Sequence, residues 1–267
     1  MVDNASDDGT AALISGHEVV RLPRNLGYAG GLAAVLDLVD TPYVAWLNDD
    51  AVPDPSWLTE LEHALDGDPG AAAATSSILL TDGSTQSVGV ALTSDGHGKD
   101  VVLAGREVFG FCGGAALLRT AELRAAGGVP ASFFCYYEDT DTAWRLRLAG
   151  HRVISVGPAR VRHQHGASTR PGSALFHRWN ERNRLLMLLR CAPGPVAARE
   201  LARFLVITAL LPLRQNVPDA ANFTFGLRAR VLGEVLLRMP ATVVQRLVIG
   251  ARSKVARRVV WRDWAGR

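Results

Sequence analysis

The chain has 267 residues, with 29 basic and 26 acidic side chains, a formal net charge of +3 and 48% apolar residues. That is enough apolar material for one large α/β domain, or one domain with an appendage, and it excludes a disordered chain. The three cysteines, Cys112, Cys135 and Cys191, form no CxxC pair, which excludes a disulfide scaffold and a cysteine zinc site and suits a reducing compartment.

In chain order, residues 1–10 read as the end of a strand entering a polar turn. Residues 10–15 fit a short helix, 18–22 a short strand and 24–31 a glycine-bearing loop. A helix is expected over 31–39, with Leu32, Val35 and Leu36 on one face. The apolar run 43–47 suits a buried parallel strand, closed by Asn48-Asp49-Asp50. A helix over 55–65 begins with Pro55 in its first turn. A strand over 71–80 follows, then polar loops and a hairpin over 81–106. The apolar run 111–118 leads to a helix over 119–126 that Gly127-Gly128 stops. Next come an aromatic run over 133–137, a helix over 140–149 closed by Gly150 and a short strand over 152–156. Strands alternating with helices imply an α/β fold with a mostly parallel sheet. Beyond Ser168 the pattern is helical: 174–190, then 197–211 ended by Pro212, then 225–260 with an interruption at Pro240.

The charge is unevenly spread. Residues 199–267 hold 13 basic and four acidic side chains, a net of +9, which leaves residues 1–198 acidic. An acidic body with a basic tail suggests two jobs. No secretory signal opens the chain, and no run of 18 clean apolar residues is present, so a single-pass helix is not expected.

Polar groups collect where strands are expected to end, which is where open α/β sheets bind ligands. In Asn48-Asp49-Asp50 the first and third side chains can face one way and offer oxygen to Mg²⁺ or Mn²⁺; an Asx-turn that merely ends the strand is the alternative. In Arg24-Asn25-Leu26-Gly27-Tyr28-Ala29-Gly30-Gly31 the glycines let backbone amides approach a phosphate or ribose, or simply make a tight start for a helix. It is neither a P-loop nor GxGxxG. Glu138 and Asp139 follow an aromatic run at a helix start, where a partly desolvated carboxylate can accept a proton from a bound hydroxyl, while Asp139 or Asp141 can instead cap the helix. His163 and His165, two apart after a strand, can ligate a divalent metal or can be a surface pair.

Taken together, Val-Asp-Asn-Ala-Ser-Asp-Asp-Gly-Thr (2–10), the 24–31 loop, Leu-Asn-Asp-Asp-Ala (47–51), Phe-Cys-Gly-Gly-Ala (111–115), Tyr-Glu-Asp-Thr-Asp (137–141) and His-Gln-His-Gly-Ala-Ser (163–168) resemble family 2 glycosyltransferases of the GT-A fold, closest to a rhamnosyltransferase-like branch. The resemblance covers residues 1–190 and implies a GT-A (Rossmann-like) mostly parallel sheet flanked by helices, with 191–267 a basic, mainly helical region. The chain opens at what resembles the family's second strand, so the usual first strand and helix are absent from it. The resemblance implies that Asp3, with Asn4 beside it, binds the nucleotide base, and that Asn25, Gly27, Gly30, Gly31, Asn48 and Asp49 contribute to the donor site. Asp50 and His163 would ligate Mg²⁺ or Mn²⁺, with His165 as the substitute ligand. Asp139 would be the catalytic base, Glu138 would orient the acceptor, Gly113 and Gly114 would line the acceptor side, and Arg182-Asn183 would be the Arg-Asn pair of a following helix. Asn48 stands where the family's metal motif usually opens with aspartate.

The activity so implied is inverting, metal-dependent transfer of a sugar from a dTDP- or UDP-sugar, rhamnose in the nearest branch, to a cell-wall or surface-polysaccharide acceptor, glycan or lipid-linked. The alternative is a catalytically impaired remnant that binds partners at a membrane surface. The basic tail, 199–267, then reads either as a peripheral contact with the inner leaflet of a cytoplasmic protein or as an ordinary helical appendage. Nucleic acid is not expected, since nothing resembles a groove reader and the body is acidic.

Overall fold

The computed structural model describes residues 1–13, 16–164 and 170–266. Its elements are β1 (Val2–Asp3), α1 (Thr10–Leu13), β2 (Val20–Arg21), α2 (Gly27–Val35), β3 (Tyr43–Leu47), β4 (Ala51–Pro53), α3 (Trp57–Asp66), β5 (Ala71–Leu79), β6 (Thr85–Ser87), β7 (Val90–Leu92), β8 (Gly98–Asp100), β9 (Ala115–Arg119), α4 (Thr120–Ala125), α5 (Glu138–Leu148), β10 (Arg152–His163), α6 (Ala174–Cys191), α7 (Gly194–Leu210), α8 (Phe225–Arg252) and α9 (Arg257–Trp264).

The main sheet has the order β3-β9-β5-β10-β4, with β6 on β5. β5 and β10 are parallel, β9 is antiparallel to both β3 and β5, and β4 is antiparallel to β10. β3, β5 and β10 therefore share one direction, which is how the expected parallel sheet is realised. The apolar run 111–118 supplies the reversed strand between them. β1 and β2 pair in parallel as a separate small sheet.

Both faces of the main sheet are covered, as its apolar strands require. Trp57, Leu61 and Leu65 recur every fourth residue on α3 and pack with Ala74, Ile78, Leu117 and Val161. On the other face Trp46, Phe109, Phe111 and Trp144 form a cluster that also takes in Phe204 of α7, Val231 and Val235 of α8 and Val260 of α9. One buried cluster thus draws on both 1–190 and 191–267.

Three elements depart from the periodicity reading. α2 starts at Gly27, four residues early, so much of the glycine-bearing stretch is helix. α8 runs unbroken through Pro240. Proline costs that helix a hydrogen bond, but its packing against α6 and α7 holds it together, and Thr242 Oγ1 donates to the Arg238 carbonyl beside the break at 2.8 Å. β10 is twelve residues long, because its ladder with β5 shifts register between Val156 and Arg160 and so absorbs Gly157-Pro158. That extension matters: it carries His163 alongside β4, opposite Ala51.

Candidate active site

The first corner of the site is a turn. β3 ends at Leu47, residues 48–50 reverse the chain, and β4 returns beside β10. Asn48 donates its backbone N–H to the Gly114 carbonyl at 3.0 Å, and the Asp50 carbonyl accepts from Gln164 N–H at 3.1 Å. This fixes the two side chains against His163, which is buried. His163 Nε2 lies 3.3 Å from Asn48 Nδ2 and 3.0 Å from Asp50 Oδ1, while His163 Nδ1 faces Gln86 Oε1 at 2.8 Å. Asp49, between the two, is exposed. His165 lies outside the described residues.

These atoms fit a divalent cation. Asp50 Oδ1 is buried and accepts no hydrogen bond. When the ring is neutral and Nδ1–H is donated to Gln86, the lone pair is on Nε2, where the Asn48 amide can donate to it. Nε2 and Asp50 Oδ1 then face each other as two electron-rich atoms, a pairing that a cation between them relieves. A ligating histidine fixed through its other nitrogen is the usual outer arrangement of such sites. Among the described residues no group of three His, Cys, Asp or Glu side chains gathers around one point. Among the described residues Asp50 and His163 are the two side chains of this kind at the turn, and a cation held there would need further ligands.

The second corner is the start of α5. Glu138 is 6% exposed, and its Oε2 has no hydrogen-bond partner. Burial, and then the charge of Asp139, pushes the Glu138 carboxyl up to about 8. Asp139 is also pushed up by burial, against the pull of its donors. Those donors are Gly113 N–H at 2.9 Å on Oδ2, and Thr140 N–H at 2.5 Å and Thr140 Oγ1 at 3.0 Å on Oδ1. Asp141 is fully buried, 2.7 Å from Arg145 and 3.4 Å from Arg190, and so belongs to the scaffold. No side chain caps this helix from residue 137.

The approach to α5 is strained. Phe134, Tyr136 and Tyr137 have φ of 67°, 71° and 68°, a conformation that costs a non-glycine residue roughly 1–3 kcal/mol when it persists at functional sites. Arg182 and Asn183 of α6 hold it. Asn183 Nδ2 reaches the carbonyls of Phe133, Cys135 and Tyr136 at 3.0, 2.8 and 2.8 Å, and Arg182 Nη2 donates to Phe133 at 2.6 Å. Arg182 is in turn anchored by Glu234 of α8 at 3.1 Å.

One dipeptide joins the two corners. Gly114 accepts from Asn48, and Gly113 donates to Asp139; consecutive Cα atoms lie about 3.8 Å apart. Asn48, Asp50, His163 and Asp139 therefore meet at one end of the sheet. Tyr28 Oη donates to the Gly113 carbonyl at 2.5 Å, and burial, then the charges of Glu138 and Asp139, raises that phenol well above its ordinary value.

The other sequence candidates lie around β1. Asp3 is buried and accepts from Ser6 N–H at 2.9 Å and from the Ser6 hydroxyl, with Arg21 Nε 3.3 Å away. These donors hold its carboxyl below the usual range, the Ser6 hydroxyl foremost. Asn4 pins the loop that follows β2: it donates to Asn25 Oδ1 at 3.1 Å and Gly27 O at 3.0 Å and accepts from Leu26 N–H at 2.9 Å. Asn25 Oδ1 also accepts from Gly27 N–H at 2.8 Å. Gly27 has φ +72°, and a Cβ there would lie 2.3 Å from the Phe134 carbonyl oxygen; one on Gly30 would lie 2.6 Å from Leu26 Cβ. Gly31 has Asn4 as its nearest neighbour. The loop is thus docked on the strained segment by the tight approach that only glycine permits.

Sequence reading missed Gln86, which sits in a polar stretch with nothing to distinguish it from loop. It also missed what Arg182-Asn183 does, because its targets are backbone carbonyls nearly 50 residues away.

Residues 1–124, a little under half of the chain, match the family model described as Glycosyl transferase family 2. No curated protein matches the chain. Among solved structures it is similar to GalNAc-T7 with UDP, GalNAc and Mn²⁺, at a TM-score of 0.55 and 12% identity over 84% of this chain and 45% of that one. It is similar to the mannosyltransferase PcManGT from Pyrobaculum calidifontis with GDP-Man and Mn²⁺ at 0.51 and 17%, over 89% and 76%. It is similar to S. aureus TarS at 0.50 and 17%, over 94% and 48%. The chain spans under half the length of GalNAc-T7 and of TarS. The fold is the GT-A fold, and the resemblance of its motifs to family 2 glycosyltransferases stands.

Proposed function

We propose that the chain is a glycosyltransferase that moves a sugar from a nucleotide-diphosphate donor to an acceptor hydroxyl by a single inverting displacement, using Mg²⁺ or Mn²⁺. The observation that carries this reading is the Asp50–His163 pair, in which Asp50 Oδ1 accepts no hydrogen bond, joined through Gly113-Gly114 to the buried pair Glu138–Asp139. The family match, and the UDP and GDP-Man in the GalNAc-T7 and PcManGT structures, support the donor class.

Asp139 takes the proton of the acceptor hydroxyl as that oxygen attacks the anomeric carbon; Gly113 and Thr140 fix the orientation of its carboxylate. Two adjacent buried carboxyls do not both ionise easily. With Glu138 pushed up to about 8, it stays protonated at neutral pH, leaves the charge on Asp139 and can donate a hydrogen bond to the acceptor. Attack from the opposite face inverts the centre through an oxocarbenium-like state. Asp50 and His163 would hold the cation, which supplies Lewis-acid neutralisation of the departing diphosphate. Asp3 and Asn4 would face the base, and Asp49 the ribose or donor sugar. Asn48 and the loop of Asn25, Gly27, Gly30 and Gly31 would close the donor side. The narrower reading is a rhamnosyl donor and a lipid-linked cell-wall acceptor, reached from the inner membrane face with 199–267 resting on the anionic leaflet; residues 1–190 would then be the catalytic unit.

Thermal melts with UDP-, dTDP- and GDP-sugars, each with and without Mn²⁺, test the reading. One donor should raise the melting temperature by several degrees, and only with Mn²⁺ present. NMR of the product should then show an inverted anomeric centre. No response to any donor, or a retained configuration, contradicts it.

A further inference from the structure

α8 has two sides of different character. Val231, Val235, Thr242 and Ile249 are buried against the body. On the opposite side Leu236, Leu237, Val244, Leu247 and Val248 are exposed, Leu237 by 82% and Leu247 by 69%. Their spacing places them in one stripe about 18 Å long at 1.5 Å per residue. A stripe of this kind calls for an occupant.

The charge of the same stretch of chain says which. From residue 235 to 261 the sequence has six cationic side chains and no carboxylate; Arg252, Lys254 and Arg258 are exposed, while Arg262 is paired with Asp263. A second copy would bring like charges together, whereas an anionic surface is complementary. No helix among the described residues is long and apolar enough to cross a membrane, so the stripe suits a helix lying in the interface.

A second observation adds a seat for a head group. Val244 and Val248 of the stripe also line a pocket of about 410 Å³ between α8 and residues 126–132, together with Arg145, Arg190 and Arg252. Arg145 is fully engaged by Asp141 and the carbonyls of Ala126 and Gly128. Arg190 is held less fully: it is 6% exposed, its Nη1 pairs with Asp141 at 3.4 Å, its guanidinium lies over the Phe133 ring at 5.4 Å, and its Nε makes no hydrogen bond. A guanidinium in the pocket lining, beside an exposed Arg252 and next to an apolar rim, matches the chemistry of a phosphate carrying acyl chains.

We propose that α8 lies on an anionic phospholipid surface, its apolar stripe entering the acyl boundary while the pocket at Arg190 and Arg252 receives a lipid phosphate. This deepens the membrane contact of the reading above and needs none of its transfer chemistry. Flotation of the full chain with equimolar phosphatidylglycerol–phosphatidylcholine vesicles, against pure phosphatidylcholine, tests it without any donor sugar. Binding is expected on the anionic vesicles only. Leu237→Asp with Leu247→Asp should weaken it at least about tenfold, and Arg252→Ala about fivefold, the share of one basic residue at such a surface. All three side chains are exposed, so melting temperatures should not change. Failure to float, equal binding to neutral vesicles, or a double variant that floats like wild type overturns the proposal. An Arg252-dependent melting shift with inorganic phosphate but no vesicle binding would assign the pocket to a soluble anion, and a dimer dissolved by the double substitution would assign the stripe to a second copy; either overturns it. Vesicle binding without sugar transfer would instead count against the enzymatic reading alone.

Discussion

The two corners of the site are built by opposite means. At Asn48–Asp50 a short turn between β3 and β4 supplies the side chains, and the neighbouring strand β10 brings His163 to them. At Glu138–Asp139 the carboxyls sit behind a loop with three positive-φ residues, held by Arg182 and Asn183 from a helix that follows later in the chain. Each corner keeps an oxygen without a hydrogen bond, Asp50 Oδ1 and Glu138 Oε2, and the second adds backbone strain. A site of this kind can lose its chemistry at either corner, but losing the second should also cost stability.

The largest expected effect separates chemistry from binding. Asp139→Asn should lower kcat by about 10²–10⁴, the usual share of a general base, and leave the donor KM close to wild type in steady-state assays. At the first corner, Gln86→Leu removes the acceptor that orients His163. Calorimetric titration should show Mn²⁺ binding weakened about 10–100-fold, as for other partners of metal-ligating histidines, with the melting temperature little altered. Asn183→Ala acts on the other corner. It strips donors from three buried-loop carbonyls and should cost about 1–3 kcal/mol in urea unfolding, with Mn²⁺ binding unchanged. Equal damage to Mn²⁺ binding would erase the distinction between the corners.

The last effect is a pH dependence. The Glu138 carboxyl stands at about 8 in the folded chain against an ordinary 4.5, so the folded state binds the extra proton. Its contribution to stability is full below about 4.5 and is lost as pH rises through about 8. Melting temperatures across that window should fall less steeply for Glu138→Gln than for wild type.

Much of this was legible in the sequence. The runs 43–47 and 71–80 read as strands because apolar side chains fill them, and the acidic motifs read as a site because strands are expected to end at them, although Glu138 and Asp139 follow a strained loop instead. The reach of β10 was hidden by Gly157-Pro158, which reads as an end until a register shift against β5 absorbs it. The unbroken α8 was hidden by Pro240, whose lost hydrogen bond packing outweighs. The glycines of the 24–31 loop read equally as a phosphate cradle or as a tight start for a helix, and a Cβ on Gly27 would meet the Phe134 carbonyl. A contact across more than 100 residues leaves no local pattern to read, and the same is true of Gln86 on His163.

The central claim is that the metal corner and the base corner are separate groups serving one reaction. Mn²⁺ titration followed by electron paramagnetic resonance, on wild type, Asp50→Asn and Asp139→Asn with the donor nucleotide present, tests it most directly. The account predicts that Asp50→Asn loses most Mn²⁺ uptake and that Asp139→Asn, though unable to transfer sugar, takes up Mn²⁺ as wild type does. Wild-type uptake by Asp50→Asn, or loss of uptake in Asp139→Asn, would contradict it.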